Sequence, residues 1–194
     1  MRRNKAGLAL ILIGAALIGS ALFLFFSNSA EDDNAGRQAA VMLEKVQQVI
    51  PEESAGPARL TLAEIGGYEY IGYISIAKLE LELPVMAEWD YDRLKIAPCR
   101  HFGSPESDDL VIAAHNYKNH FGRLGRLEAE DVVVFTDMEG GSSTYAVREI
   151  RRVEPTDVEA VQDSEYDLVL YTCTFSGETH TVVGCERLAD EKSL

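Results

Sequence analysis

The chain predicts a mostly β domain, a sandwich or barrel, preceded by one membrane-spanning helix. Three observations lead there. The first is an uncharged apolar stretch of 21 residues, Ala6–Phe26, near the N-terminus. The second is a series of seven or eight short apolar or alternating runs after Leu60, each bounded by turn residues. The third is that two of those runs end on chemistry-bearing side chains, His115 and Cys173. The 194 residues suit one globular domain with an appendage, and 46% hydrophobic content is enough for a core.

In chain order, residues 1–5 form a short basic tip with Arg2, Arg3 and Lys5. A helix over residues 6–26 would span about 30 Å, the thickness of a bilayer core. The small, polar Ser27-Asn28-Ser29-Ala30 raises the rival of a cleavable signal peptide. The apolar stretch exceeds the roughly 7–15 residues of a signal core, which favours an uncleaved anchor. Basic residues before it and Glu31-Asp32-Asp33 after it put the N-terminus in the cytoplasm and the domain outside. Residues 27–59 read as linker or stalk: a polar spacer Ser27–Gly36, then an amphipathic helix Gln38–Ile50 stopped by Pro51. Met42, Leu43, Val46, Val49 and Ile50 carry the apolar face of that helix.

The domain is expected over residues 60–194. Tyr70–Ile76 and Leu79–Leu83 alternate, and Pro84 precedes Val85-Met86. Leu110–Ala114 and Val132–Phe135 are continuous apolar runs. Ser143–Val147, Ile150–Val153, Leu168–Tyr171 and Thr181–Cys185 complete the set. Between Ala87 and Asp109 the sequence is turn-rich, with one short helix expected at Glu88–Lys95 and a helical turn at Asp157–Gln162. No GxGxxG or GxxxxGK[ST] pattern supports a nucleotide fold.

Removing Arg2, Arg3 and Lys5 from the 18 basic residues leaves 15 against 32 acidic ones, a net −17 beyond the anchor. Such a surface disfavours nucleic acid as a partner, because phosphate recognition relies on Lys and Arg. It suits a soluble, exposed domain. Three cysteines, Cys99, Cys173 and Cys185, leave at least one thiol without an intramolecular partner, and an unpaired thiol in an exported chain is a candidate reactive group. Cys99 and Cys185 read either as a disulfide or as two buried free thiols, with the second favoured. A strand that ends on Cys173 and another that ends on His115 suggest a thiolate nucleophile with an acid/base partner.

The stretches DLVIAAHNYKNHFGRLGRL (Asp109–Leu127) and DLVLYTCTFSGETHTVVGCERL (Asp167–Leu188) resemble the sortase family of membrane-anchored cysteine transpeptidases. Ala114-His115-Asn116 is similar to the family's histidine motif, and Tyr171-Thr172-Cys173 to its cysteine motif. The segments Ile71–Leu79 and Leu83-Pro84-Val85 are similar to its first strands, and the likeness covers about residues 68–188. The resemblance implies a closed β-barrel of seven to eight strands with short helices. It implies a single-pass protein of the cell membrane of Gram-positive type. It also implies cleavage of an LPxTG-like sorting motif of secreted proteins through a thioester on Cys173. The acyl group would then pass to an amine of a wall precursor or a pilin lysine.

His115 would serve as acid and base, and Asn116, Tyr117, Thr172 and Thr174 would line the substrate. The family's arginine, an oxyanion donor, would fall seven residues after the cysteine, where this chain has His180. Arg187 is the nearest later arginine, but an odd separation from residue 180 puts it on the other face of a regular strand, so only a bulge or a shifted register would bring it round. Arg123 and Arg126 are further candidates. The alternative function is a catalytically weak or silent sortase-like module that only binds a peptide, with a generic extracellular cysteine protease as a third reading.

No cofactor is expected. A zinc site from Cys99, His101, His115 and Cys173 lacks the usual ligand spacing. The acidic groups Asp108-Asp109 and Glu128/Glu130/Asp131 read as a solvated face in preference to a calcium site. His101 and His120 read as polar loop residues, and Phe121 and Leu124 as local core or groove wall.

Overall fold

The computed structural model describes residues 2–51, 56–154, 156, 161, 164–173 and 178–189, with residues 2–6 and 173 as backbone. Its elements are helix α1 (Arg2–Val49), strands β1 (Ala63–Ile65), β2 (Tyr68–Ile76) and β3 (Leu81–Met86), helix α2 (Tyr91–Leu94), then β4 (Cys99–Phe102) and β5 (Leu110–Ala113). The remainder are β6 (Val132–Asp137), β7 (Ser142–Val153), β8 (Leu168–Cys173) and β9 (His180–Arg187). A 3-10 turn covers Ala77–Leu79 and a 3-10 helix covers Phe121–Arg126.

The chain divides into two compact units at residues 34 and 35. The first is the leading part of α1. It carries exposed Leu10, Ile11, Leu17, Phe23 and Phe25, and its mean hydropathy reaches 2.6 over an 18-residue window. That is long and apolar enough to cross a membrane. The expected polar spacer Ser27–Gly36 is helical instead, because Ala30, Glu31, Ala35 and Arg37 favour helix and no proline interrupts before Pro51.

In the second unit the rest of α1 belongs to the domain and is not a free stalk. Ala35, Ala39 and Val46 repeat at helical spacing and are at most 2% exposed. Ala39 joins the main core, while Val46, with Met42 and Ile50, packs beside Tyr70, Met86 and Cys99.

Eight strands close a barrel in the order β2-β3-β4-β5-β8-β9-β7-β6, and β6 pairs back onto β2 through Gly72↔Asp137 to Ser75↔Val134. β1 extends β2 as a hairpin outside that ring. At the closing seam Gly72 has φ +140, and a Cβ there would lie 1.9 Å from the Thr136 carbonyl oxygen. The approach of β2 to β6 therefore requires glycine.

β1 and β4 have too little alternation to be seen in the sequence. The expected strands Ser143–Val147 and Ile150–Val153 are one strand, β7, with a bulge between Val147 and Glu149 that shifts the apolar phase. Pro84 is tolerated within β3 because β4 pairs with that strand only at Met86. Of the expected turn Asp157–Gln162 only Val161 lies among the described residues.

β5 and β8 run parallel, in register from Leu110↔Leu168 to Ala113↔Tyr171. Their residues are buried on both faces, which is why both runs read as continuous apolar segments. Leu110, Ile112, Leu168, Leu170, Val183 and Cys185 fill the interior. Val111, Val169 and Val182 pack outside, against Val153 and Val161.

Candidate active site

The register brings the three predicted catalytic positions together. Ala114 donates its amide to the Tyr171 carbonyl at 3.2 Å, so β5 still tracks β8 beyond its formal end. His115 follows directly on that last contact, at the end of the strand beside the one that carries Cys173. On the other side of β8, Cys173 is the direct antiparallel partner of His180. Neighbouring strands lie about 4.8 Å apart, so β8 carries position 173 at the same sheet end as the β5 end that leads to His115 and the β9 start at His180. Tyr171 and His180 share the outer face of the barrel, by the alternation that sends Leu170 and Val183 inward.

Two sequence expectations need correction. Thr172, at 3% exposure, points into the barrel opposite buried Thr181, so its side chain is off the face that holds position 173. Arg187 lies at the far end of β9, about 23 Å along the strand from His180. Register is regular from Leu168↔Cys185 to Cys173↔His180, so no bulge turns it round. Its guanidinium is engaged there, donating to Asp108 at 2.8 Å, to Ser143 Oγ at 2.5 Å and to the Pro105 carbonyl, above the Tyr145 ring. Arg123 donates Nε to the Lys118 carbonyl at 2.9 Å, and Arg126 is exposed. Thr174 lies outside the described residues.

The loop after β5 holds His115 from below. Phe121 and Leu124 on the 3-10 helix are fully buried in the core, as the sequence allowed. Phe121 donates its amide to the His115 carbonyl at 3.2 Å, and His120 and Gly122 donate theirs to the Tyr117 carbonyl at 2.9 and 3.0 Å. Gly122 lies against Asn116, whose carbonyl oxygen would be 2.2 Å from an added Cβ. The Tyr117 ring packs 5.0 Å from the His115 ring. His120 is not a polar loop residue: it is fully buried, 5.4 Å from the Tyr117 ring, and desolvation pushes its pKa down to about 4.

On the β9 side, the Tyr171 ring lies 5.6 Å from His180 and 5.7 Å from His101. Tyr171 Oη and His101 Nδ1 are joined at 3.0 Å. Trp89 stacks on His101 at 5.6 Å, with exposed Tyr91 4.8 Å beyond. Desolvation lowers the pKa of both His101 and His180. Both rings are therefore neutral near pH 7 and present an N–H without a cation's charge. Sequence reasoning missed Tyr171 as a neighbour of the site. Its position two residues before Cys173, on the same face of a strand, was the available signal.

The other thiols are inert. Cys99 and Cys185 are free, fully buried in separate clusters, and burial pushes each up to about 12. Among the described residues no group of three or more His, Cys, Asp or Glu side chains is placed to hold a metal. The acidic groups weighed for calcium are engaged. Asp108 pairs with Arg187, Glu130 with Arg148, and Asp131 accepts the Glu128 amide at 2.7 Å.

Comparison with known proteins gives a consistent picture. A family model for the sortase domain matches residues 74–188. Sortase C1 from Streptococcus agalactiae superposes with TM-score 0.57 at 25% identity, covering 66% of this chain and 72% of that one. A sortase D5 transpeptidase from Clostridium perfringens gives 0.54 at 20% identity, over 62% of this chain and 79% of that one. Sortase C from Streptococcus pneumoniae gives 0.56 at 19% identity, over 85% and 92%. None of the curated proteins compared matches the chain.

Proposed function

The chain belongs to the sortase family, and from that premise we propose that it is a membrane-anchored cysteine transpeptidase with Cys173 as nucleophile and His115 as acid and base. The observation that supports this reading is that β8, which ends on residue 173, pairs with β9 at His180 and runs parallel to β5, which leads directly into His115. It is supported by elimination among the thiols, since Cys99 and Cys185 are core residues.

In this reading the Cys173 thiolate attacks the carbonyl carbon of an LPxTG-like sorting motif. The carbonyl π pair moves to oxygen, and the oxyanion accepts a hydrogen bond from the neutral His180 imidazole. Collapse breaks the peptide C–N bond, and protonated His115 gives its proton to the departing amine. The thioester is then attacked by an acceptor amine, His115 takes the proton, and the thiolate leaves. A wall-precursor amine and a pilin lysine are both suitable acceptors. Asn116 and Tyr117 flank His115 as substrate contacts, and Thr174 flanks the nucleophile. The apolar helix anchors the protein, with Arg2, Arg3 and Lys5 on the cytoplasmic side and the barrel outside.

One observation favours the rival, a silent peptide-binding module: histidine stands where the resemblance implies arginine. Incubation with an LPxTG-like peptide, then intact-protein mass spectrometry, separates the two. The thioester adduct is expected on the wild type and absent from Cys173→Ala. Peptide binding without any adduct on the wild type would leave the silent module as the reading.

A further inference from the structure

His120 is a buried imidazole that no step of the transpeptidation uses. It is 0% exposed, and neither ring nitrogen has a hydrogen bond of ordinary geometry. A buried imidazole whose polar contact to the Ala35 backbone falls short of ordinary hydrogen-bond geometry carries a desolvation cost, and a Leu or Phe would fill the same space without it. Burial and the nearby His115 both favour its neutral form, while the Ala35 backbone opposes that shift least of the three. Its surroundings join two elements. On one side the Tyr117 ring stands edge-on to it at 5.4 Å and then meets His115 at 5.0 Å. On the other side the next residue back, Asn119, rests on Gly36 of α1, where an added Cβ would lie 2.7 Å from Asn119 Nδ2. Ala35 and Ala39 flank that contact and are themselves buried.

We propose that His120 is a positioning residue for His115: a buried aromatic wall that fixes the acid/base ring through Tyr117 and is braced from behind by the Ala35–Ala39 turn of α1. The inference rests on His115 being the acid and base. The His115 ring is only partly buried and packs against Tyr117, and displacement of a catalytic group by about 1 Å costs up to about a hundredfold in rate. A flat ring at position 120 removes that freedom. A neutral ring also leaves His115 as the imidazole that takes the proton.

The test compares His120→Ala with His120→Phe in the full chain. Removal of the ring is expected to lower kcat for acyl-enzyme formation about tenfold, with KM changed less than about twofold. Phe restores the wall and is expected to bring kcat back to within about twofold of wild type. Nuclear Overhauser contacts between the His115 and Tyr117 rings are expected to weaken in His120→Ala and to persist in His120→Phe. Gly36→Ala approaches from the helix side and reports even where His120→Ala fails to fold. Its methyl displaces Asn119 and is expected to lower kcat with KM unchanged. Unchanged kcat and intact ring contacts in His120→Ala or Gly36→Ala would overturn the proposal, as would a loss expressed only in KM. If His115→Ala keeps full activity, the functional reading fails instead, and the ring contacts still decide whether position 120 fixes His115.

Discussion

His180→Ala is the substitution that most directly questions the site. The side chain stands directly across from position 173 in an antiparallel pair, where Cβ atoms are about 4.5–5.5 Å apart. An N–H from that ring is therefore within reach of an oxyanion formed at residue 173. Deleting one preorganised donor from a water-excluded site costs about 10²–10³ in rate, or roughly 2.7–4 kcal/mol. His180 is only half-buried, so water takes over part of the vacated place and the expected loss is about a hundredfold, at the low end of that range. The ring's contact with Tyr171 at 5.6 Å is the packing that is lost, about 1 kcal/mol of stability. A drop in activity of about a hundredfold at a Tm lowered by only a few degrees is thus the signature. Single-turnover accumulation of the acyl-enzyme, tracked by intact mass, measures it. His180→Arg supplies a permanent guanidinium in the same place and is expected to match or exceed the wild-type rate. A His180→Ala rate within threefold of wild type would refute the assignment. So would a His180→Arg variant as slow as His180→Ala.

Acid stability reports on His120. Its pKa falls from 6.5 to about 4 in the fold, so the unfolded chain takes up the proton first as pH drops. Stability is full above pH 6.5 and is lost between 6.5 and 4, by roughly 3 kcal/mol. His120→Phe should remove that part of the slope in a pH series of denaturant unfolding; an unchanged slope would count against a neutral buried imidazole. Gly72→Ala should destabilise by about 3 kcal/mol or more, because a Cβ at 1.9 Å from the Thr136 carbonyl and a φ of +140 open the β2–β6 seam. Chemical denaturation measures it, and a loss under about 1 kcal/mol would mean the seam relaxes freely. Arg187→Ala should lower stability by about 2–3 kcal/mol through the lost Asp108, Ser143 and Pro105 partners, with acylation unchanged. A large loss of rate at unchanged Tm would return Arg187 to the mechanism.

Much of the candidate site's placement was legible in the residues because strand ends are written locally. Leu110–Ala114 and Leu168–Tyr171 are continuous apolar runs, and the polar residues at the end of each run must emerge at a sheet end. The odd separation of residues 180 and 187 already implied opposite faces, and the regular β8–β9 pairing agrees. The errors fall where long-range packing overrides local signals. Thr172 reads as a neighbour of the nucleophile in sequence, yet strand alternation turns it inward. β4 has no periodicity because its four residues take their place from β5 and not from their own pattern.

Sequence alone pointed to the long apolar N-terminal segment, the mostly β class, the candidate motif positions 115 and 173, and the departure at residue 180. The first two depend on composition, or on periodicity over a few residues; the last two rest on the resemblance of those stretches to the sortase family. Tertiary structure decided the pairing of β2 with β6 that closes the barrel, and the burial of Ala35 and Ala39 within the domain. It also decided that Tyr171 packs beside His180 and that His120 lies behind Tyr117. These juxtapositions join residues as much as 85 positions apart, from Ala35 to His120. Only the shared exclusion of water from one core brings such pairs together, and no local pattern in the chain records which partner each will meet.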